Sequence, residues 1–262
     1  MRIVVKLGTS TLTHSTGRLN IRRVETLCKT LSDLKNAGHE IVLVTSGAIG
    51  MGVGKLQLPG RPADMPTKQA AAAVGQCELM YVYDKLFSEY HHTVAQVLLT
   101  GADVRDERRR ENMRNTLLRL LELQAIPVVN ENDAVVTDEI GVHNTIGEND
   151  TLSAIVAELT EAELLILLSD IDGLYTADPH RDPDARLIER VEEITPALEA
   201  LAGGSGSALG TGGMATKLSA AKLATAAGAD MIIANGRNPE LLYQIAAGEP
   251  VGTRFIAKGR ES

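Results

Sequence analysis

An α/β fold built on a mostly parallel sheet is what this 262-residue sequence predicts, and three observations carry the prediction. Short, branched apolar runs alternate with amphipathic stretches from end to end. The runs are apolar throughout, as befits strands covered on both faces, and do not alternate with polar residues as half-exposed strands do. No linker, internal repeat or run of like charge divides the chain, so a single domain over 1–262, with room for two lobes, is expected.

Taken in order, the first strand is Ile3-Val4-Val5. Residues 20–37 then place Ile21, Val24, Leu27, Leu31 and Leu34 on one helical stripe that stops at Gly38. Ile41 to Val44 is the second strand, residues 67–89 a helix, Val94 to Leu99 the third strand and residues 107–123 a further helix. Ile126 to Val129 is the fourth strand. Residues 134–147, AVVTDEIGVHNTIG, alternate briefly in polarity around a glycine, which predicts a β-hairpin standing away from the main sheet. Beyond it come a helix over 150–159, the strand Leu164 to Leu168, a Gly/Ser-rich mobile loop over 202–213, a helix over 214–227, the strand Met231-Ile232-Ile233 and a helix over 239–247.

Composition removes several function classes. A net charge of −8 disfavours nucleic-acid binding, which needs a basic face, and 3% aromatic residues leave few platforms for stacked bases. Cys28 and Cys77 are too few for a disulfide framework and too far apart for a C-x-x-C site. The opening MRIVVKLGTS has no long apolar core of a signal peptide, and no stretch approaches the ~20 apolar residues of a membrane span, so a soluble, cytoplasmic protein with no membrane partner is expected.

Ligands of open α/β sheets bind beyond the carboxyl ends of the strands. Four such ends here are small or polar: Lys6 to Ser10, Thr45 to Gly50, Asn130 to Asp133, and Ser169-Asp170. Glycines among them let backbone N–H groups approach an anion. A second signal is the glycine-rich run Thr211-Gly212-Gly213-Met214-Ala215-Thr216-Lys217, which opens a helix. A lysine there opposes the helix dipole and calls for an anionic partner such as phosphate, unless it is a solvated surface residue.

Other motifs fall away. The P-loop pattern fails because Leu56 follows Gly54-Lys55 and Ile49 stands in the first glycine's place. Gly210-x-Gly212-x-x-Ala215 fits a relaxed dinucleotide fingerprint but follows a loop instead of a strand. Ser46 has no G-x-S-x-G elbow, and His91-His92 reads as an exposed strand start. Asp170, Asp172, Asp178, Asp182 and Asp184 lack the glycine and glutamate that a calcium loop requires. What remains is two lysines, glycine-lined backbone, acids and amides, the inventory of phosphoryl transfer. The lack of a convincing histidine base leans towards an acceptor that is already ionised, such as a carboxylate with a pKa near ~4.3.

Several segments together carry a family resemblance: KLGTSTLT at 6–13, VTSGAIGMG at 44–52, AAVGQCELM at 72–80, AQVLLT at 95–100, NENDAV at 130–135, ENDTLSA at 148–154, SDIDGLYTADP at 169–179, TGGMATK at 211–217 and GTRF at 252–255. On them the chain resembles the amino acid kinase family along essentially its whole length. The resemblance implies a three-layer α-β-α sandwich and transfer of the γ-phosphoryl group of ATP to the γ-carboxylate of L-glutamate, with Mg²⁺ riding mainly on the ATP phosphates.

By matching position, the resemblance implies that Lys6 and Lys217 flank the transferring group and that Asp150 holds both lysines. Gly8 and Gly47 would offer backbone N–H groups. Ser46, Asp133 and Asn149 would bind glutamate, with Asp133 suited to its α-ammonium. Ser169, Asp170 and residues Thr211 to Lys217 would bind ATP, with Lys6 reaching its phosphates. A homo-oligomer, a downstream glutamyl phosphate reductase as functional partner and feedback inhibition by proline are also implied. Two departures stand out: the RNA-binding-like PUA module that many relatives carry is not expected here, and Glu148 stands where relatives often have Asp. The alternatives left open are a kinase of the same family acting on acetylglutamate, aspartate or UMP, and a non-catalytic amino-acid sensor.

Overall fold

The computed structural model describes residues 1–14, 18–135, 138–139, 142–143, 149–177, 179, 182–203 and 213–258. The elements run β1 (Arg2–Leu7), α1 (Thr9–Leu12), α2 (Ile21–Asn36), β2 (Glu40–Val44), α3 (Ala48–Lys55), α4 (Met65–Ser88), β3 (Val94–Leu99), α5 (Gly101–Arg105), α6 (Glu107–Glu122) and β4 (Ile126–Glu131). They continue with β5 (Asp138–Glu139), β6 (Val142–His143), α7 (Asn149–Leu159), β7 (Leu164–Ser169), β8 (Arg190–Val191), α8 (Pro196–Gly203), α9 (Gly213–Ala226), β9 (Asp230–Asn235), α10 (Leu241–Ala246) and β10 (Thr253–Phe255).

Eight strands form one sheet in the order β3-β4-β2-β1-β7-β9-β10-β8, parallel at every pairing except β9 with β10. Helices cover both faces, giving the expected three layers. One core gathers α2, α4 and α10 against Ile3, Val5, Leu7, Ile41 and Leu43; the other gathers α6, α7 and α9 against Val4, Val42 and Val44. All six expected strands are present. The short β8 and β10 were not foreseen, because two or three residues carry no periodicity. The short helices α1, α3, α5 and α8 escaped for a similar reason. Among the described residues no helix is long and apolar enough to cross a membrane.

Strand alternation decides the side on which chemistry falls. In β1, residues 3, 5 and 7 face α2 and α4, so Val4 and Lys6 face α7 and α9. The hairpin expected over 134–147 appears as β5 paired antiparallel with β6, a two-stranded sheet separate from the main one. Most of the loop expected over 202–213 lies outside the described residues. His91 corrects an expectation. It does not start a strand but turns the chain at φ +60° after α4, and β3 begins at Val94.

Two glycines fix the approach to the strand ends. Gly47, at φ +94°, is the N-cap of α3, a left-handed position that a side chain rarely adopts. Gly75 lets α4 touch α3 backbone to backbone, since a Cβ there would sit 1.7 Å from the Ala48 carbonyl oxygen.

Candidate active site

Three elements that are remote in sequence converge at the carboxyl end of β1. Lys6 leaves that strand, Asp150 lies in the first turn of α7, and Lys217 lies one turn into α9. Lys6 Nζ is 2.6 Å from Asp150 Oδ1, and Lys217 Nζ is 3.0 Å from Asp150 Oδ2. The Lys6 and Lys217 side chains are 11% and 10% exposed and that of Asp150 only 2%. Lys217 also donates to the Gly213 carbonyl at 3.2 Å, and the Thr216 hydroxyl lies 3.4 Å from Asp150 Oδ2. The solvated reading of Lys217 is thus overturned. So is its place in the first helical turn, because α9 starts at Gly213. The anion that answers this lysine is Asp150 itself.

Burial pushes the Asp150 carboxyl up, but Lys6 and Lys217 together outweigh that and hold it below the usual carboxylate range. A fixed anion between two ammonium groups leaves the trio with a net positive charge in a largely dry site. Such a trio suits a second anion and, still better, an anion whose charge grows during reaction.

The glycine-bearing loops stand beside it. Ser46 Oγ donates to the Leu7 carbonyl at 2.9 Å and lies 3.3 Å from Thr9 Oγ1, tying the end of β2 to the end of β1. The Gly8 N–H is lent to the Leu168 carbonyl at a long 3.4 Å. Asn149 donates through Nδ2 to the Thr45 carbonyl at 2.7 Å and to Asn130 Oδ1 at 3.1 Å, so Oδ1 is the end left for a ligand. Thr45 is held in turn by Tyr83, hydroxyl to hydroxyl at 2.9 Å in the core.

A cavity of about 370 Å³ opens between α3, α4 and the ends of β3 and β4, lined among others by Ala48, Gln76, Met80, Leu98, Glu131 and Asp133. Burial raises the Asp133 carboxyl above its ordinary value, and Arg61 offsets part of this. A larger cavity of about 680 Å³ lies between the start of α2 and the segment after β9. It contains none of the site residues expected from the sequence.

On the other side of the trio, Ser169 Oγ donates to Asp170 Oδ1 at 3.1 Å, and the Ser169 carbonyl receives the Gly236 N–H at 2.7 Å. Asn235 and Tyr175 both donate to Asp172, at 2.7 and 3.2 Å. Met214 is buried in the core of the α7 and α9 face, which leaves its backbone as the part that could face a nucleotide; Ala215 is exposed. Thr211 and Gly212 lie outside the described residues.

Sequence reasoning singled out neither Gln76 nor the Asn130 side chain. Both are buried, and Asn130 Nδ2 donates to Gln76 Oε1 at 2.9 Å. The available signal was a polar residue closing an apolar strand in one case, and a lone amide after Ala-Ala-Val-Gly in the other.

A parallel sheet with its reactive groups at the carboxyl edge, and two lysines held by one aspartate, define a phosphoryl-transfer enzyme. Residues 1–235 match the amino acid kinase family, and the chain belongs to it. Among curated proteins it is 56% identical over 260 residues to the glutamate 5-kinase of Clostridium perfringens, covering 99% of this chain and 97% of that one. It is 54% identical over 261 residues to the glutamate 5-kinase of Listeria innocua, covering 99% and 94%. Among solved structures, carbamate kinase from Giardia lamblia bound to AMP-PNP superposes with a TM-score of 0.70 at 17% identity, over 98% of both chains. The isopentenyl phosphate kinase of T. acidophilum gives 0.66 at 20% identity, over 97% of this chain and all of that one. At those identities the structural likeness speaks for the fold.

Proposed function

We propose that the chain is an ATP-dependent kinase that phosphorylates the γ-carboxylate of L-glutamate, the first step of proline synthesis from glutamate. The single observation that carries this reading is Asp150 bridging Lys6 and Lys217. Identity above 50% to glutamate 5-kinases over almost the whole chain supports the choice of acceptor.

In the reaction, a γ-carboxylate oxygen attacks the γ-phosphorus of ATP as the bond from that phosphorus to the β,γ-bridging oxygen breaks. ADP leaves with the electron pair. The acceptor is already ionised at neutral pH, so no general base is needed. Lys6 and Lys217 stand on either side of the transferring group and neutralise the charge that builds on its oxygens, while Asp150 keeps both ammonium groups in place. Backbone N–H groups near Gly8 and Gly47 add donors. Ser46, Asp133 and Asn149 hold glutamate: Asp133 meets the α-ammonium, and Asn149 Oδ1 is free to accept. Ser169, Asp170 and residues 211–217 hold ATP. Magnesium held by the ATP phosphates would supply further charge neutralisation. The residues present fit this, because each Asp150 oxygen lies against a lysine and no cluster of acids, histidines or cysteines among the described residues could hold a metal by itself.

In this reading one kinase domain over 1–262 acts in the cytoplasm as a homo-oligomer. The product is a reactive mixed anhydride, so a reductase of acyl phosphates is its functional partner, and proline is the feedback ligand. The test is glutamate-dependent ATP consumption with hydroxylamine trapping of the acyl phosphate, run beside aspartate, N-acetylglutamate and UMP. Hydroxamate from glutamate alone supports the reading. A faster reaction with any of the others overturns it.

A further inference from the structure

Gln76 is a buried polar group to which the mechanism above gives no task. It lies on α4, is 8% exposed, and belongs to the wall of the cavity that also holds Asp133. Its orientation is set by a relay of hydrogen bonds. The Glu131 N–H and Asn149 Nδ2 both donate to Asn130 Oδ1, at 2.9 and 3.1 Å. Asn130 must therefore donate through Nδ2, which it does to Gln76 Oε1 at 2.9 Å. Flipping the Gln76 amide would set one NH₂ group against another. Its Nε2 is thus committed as a donor, and it is buried with no acceptor.

Buried donors without a partner are rare in native proteins, because the lost hydration is not replaced. In the wall of a binding cavity, the missing acceptor is naturally an atom of the ligand. We propose that Gln76 is a specificity-determining residue whose Nε2 donates to the α-carboxylate of the amino-acid acceptor. The assignment rests on the reading of this cavity as the acceptor site. The γ-carboxylate is taken up by the lysine pair and the α-ammonium by Asp133, which leaves the α-carboxylate to be recognised. The same wall carries the carboxylates of Glu131 and Asp133, so an anionic group enters only where a donor awaits it. Asn149 is not that donor, since its amide hydrogens are already engaged by Thr45 and Asn130. Gln76 Nε2 is enclosed when the cavity is empty, so its amide must turn towards the substrate oxygen on binding. The bond then forms in a dry setting.

The experiment pairs two variants with two acceptors, L-glutamate and its α-amide, in the hydroxamate assay. Gln76→Met should raise the KM for glutamate by about tenfold or more, the loss typical of a hydrogen bond to a charged group. The KM for the α-amide, the KM for ATP and kcat should stay within about threefold. Gln76→Glu keeps an oxygen for Asn130 and should fold with near wild-type stability, yet lose more glutamate affinity because two carboxylates then face each other. Equal factors for the two acceptors in Gln76→Met would reduce Gln76 to a support for Asn130 and overturn the proposal. So would an unchanged glutamate KM in Gln76→Glu. Ligand-induced thermal shifts of the same proteins by the same two acceptors make the comparison without turnover. A wild type that binds glutamate but does not phosphorylate it would therefore count against the proposed function and leave the Gln76 comparison decisive.

Discussion

Lys6 Nζ and Asp150 Oδ1 are 2.6 Å apart, although 144 positions separate the two residues in sequence. The contact joins the central strand of the sheet to the first turn of α7, and Lys217 closes it from α9 on the other carboxylate oxygen. One carboxylate thus holds two ammonium groups at the mouth of a parallel sheet.

This charge count makes the trio asymmetric to substitution. Lys217→Ala leaves Asp150 paired with Lys6, a neutral couple, so the fold should survive with a change of less than about 1 kcal/mol. Asp150→Asn leaves two nearly buried ammonium groups facing each other and should cost about 3 kcal/mol or more. Urea unfolding of both variants at pH 7 tests the contrast. Equal losses would mean that the lysines are held by something other than Asp150.

Kinetics should run differently from stability. Removal of either lysine should lower kcat by roughly 10²–10³ with a smaller effect on either KM, because the charge they meet is greatest in the transition state. Arginine at position 6 or 217 should rescue poorly, since a planar guanidinium cannot take the place of a compact ammonium on one carboxylate oxygen. A folded Lys217→Ala protein with near-normal kcat would remove that lysine from the chemistry.

Asp133 should set function against stability. Its carboxyl is raised by burial, so the folded protein prefers it protonated, and that preference weakens the fold as pH rises through the group's folded pKa. Asp133→Asn should therefore raise the Tm at pH 7 and lose this advantage as the pH falls from the group's folded pKa to about 3.9, the ordinary value for Asp. The same variant should raise the KM for glutamate much more than that for ATP, by an amount on the order of 2–3 kcal/mol of binding. Melting curves across pH, together with both KM values, check the two halves separately.

Gly75 should be intolerant of the smallest side chain. A Cβ there meets the Ala48 carbonyl oxygen at 1.7 Å, and backbone cannot swing aside as a flexible side chain does. Gly75→Ala should push α3 off α4, cost about 1–3 kcal/mol, and reduce kcat by displacing the Gly47 turn. Wild-type stability and activity in this variant would show that the two helices part easily.

Much of the architecture was legible along the chain because it is written in local pattern. Unbroken apolar runs such as Leu164 to Leu168 require cover on both faces, and the stripe on α2 supplies part of it through Val24, Leu27, Leu31 and Leu34, whereas Ile21, also expected on it, is exposed at the start of α2. The family motifs pointed to Lys6, Asp150 and Lys217, but the expected first strand stops at Val5, and only the longer β1 puts Lys6 on the same face as Val4. Tertiary structure alone decided the rest. That Lys217 is buried on Asp150, and not solvated, depends on how α7 and α9 pack, and a helix sequence does not state which neighbour lies across from it. The amide relay from Asn149 through Asn130 to Gln76 joins a helix, a strand and a second helix, and each residue by itself reads as an ordinary polar side chain. Hydrogen-bond direction is a property of the assembled network: only when Asn130 Oδ1 has its donors does the Gln76 amide have a fixed orientation, and only then does it present a donor with nothing to receive it.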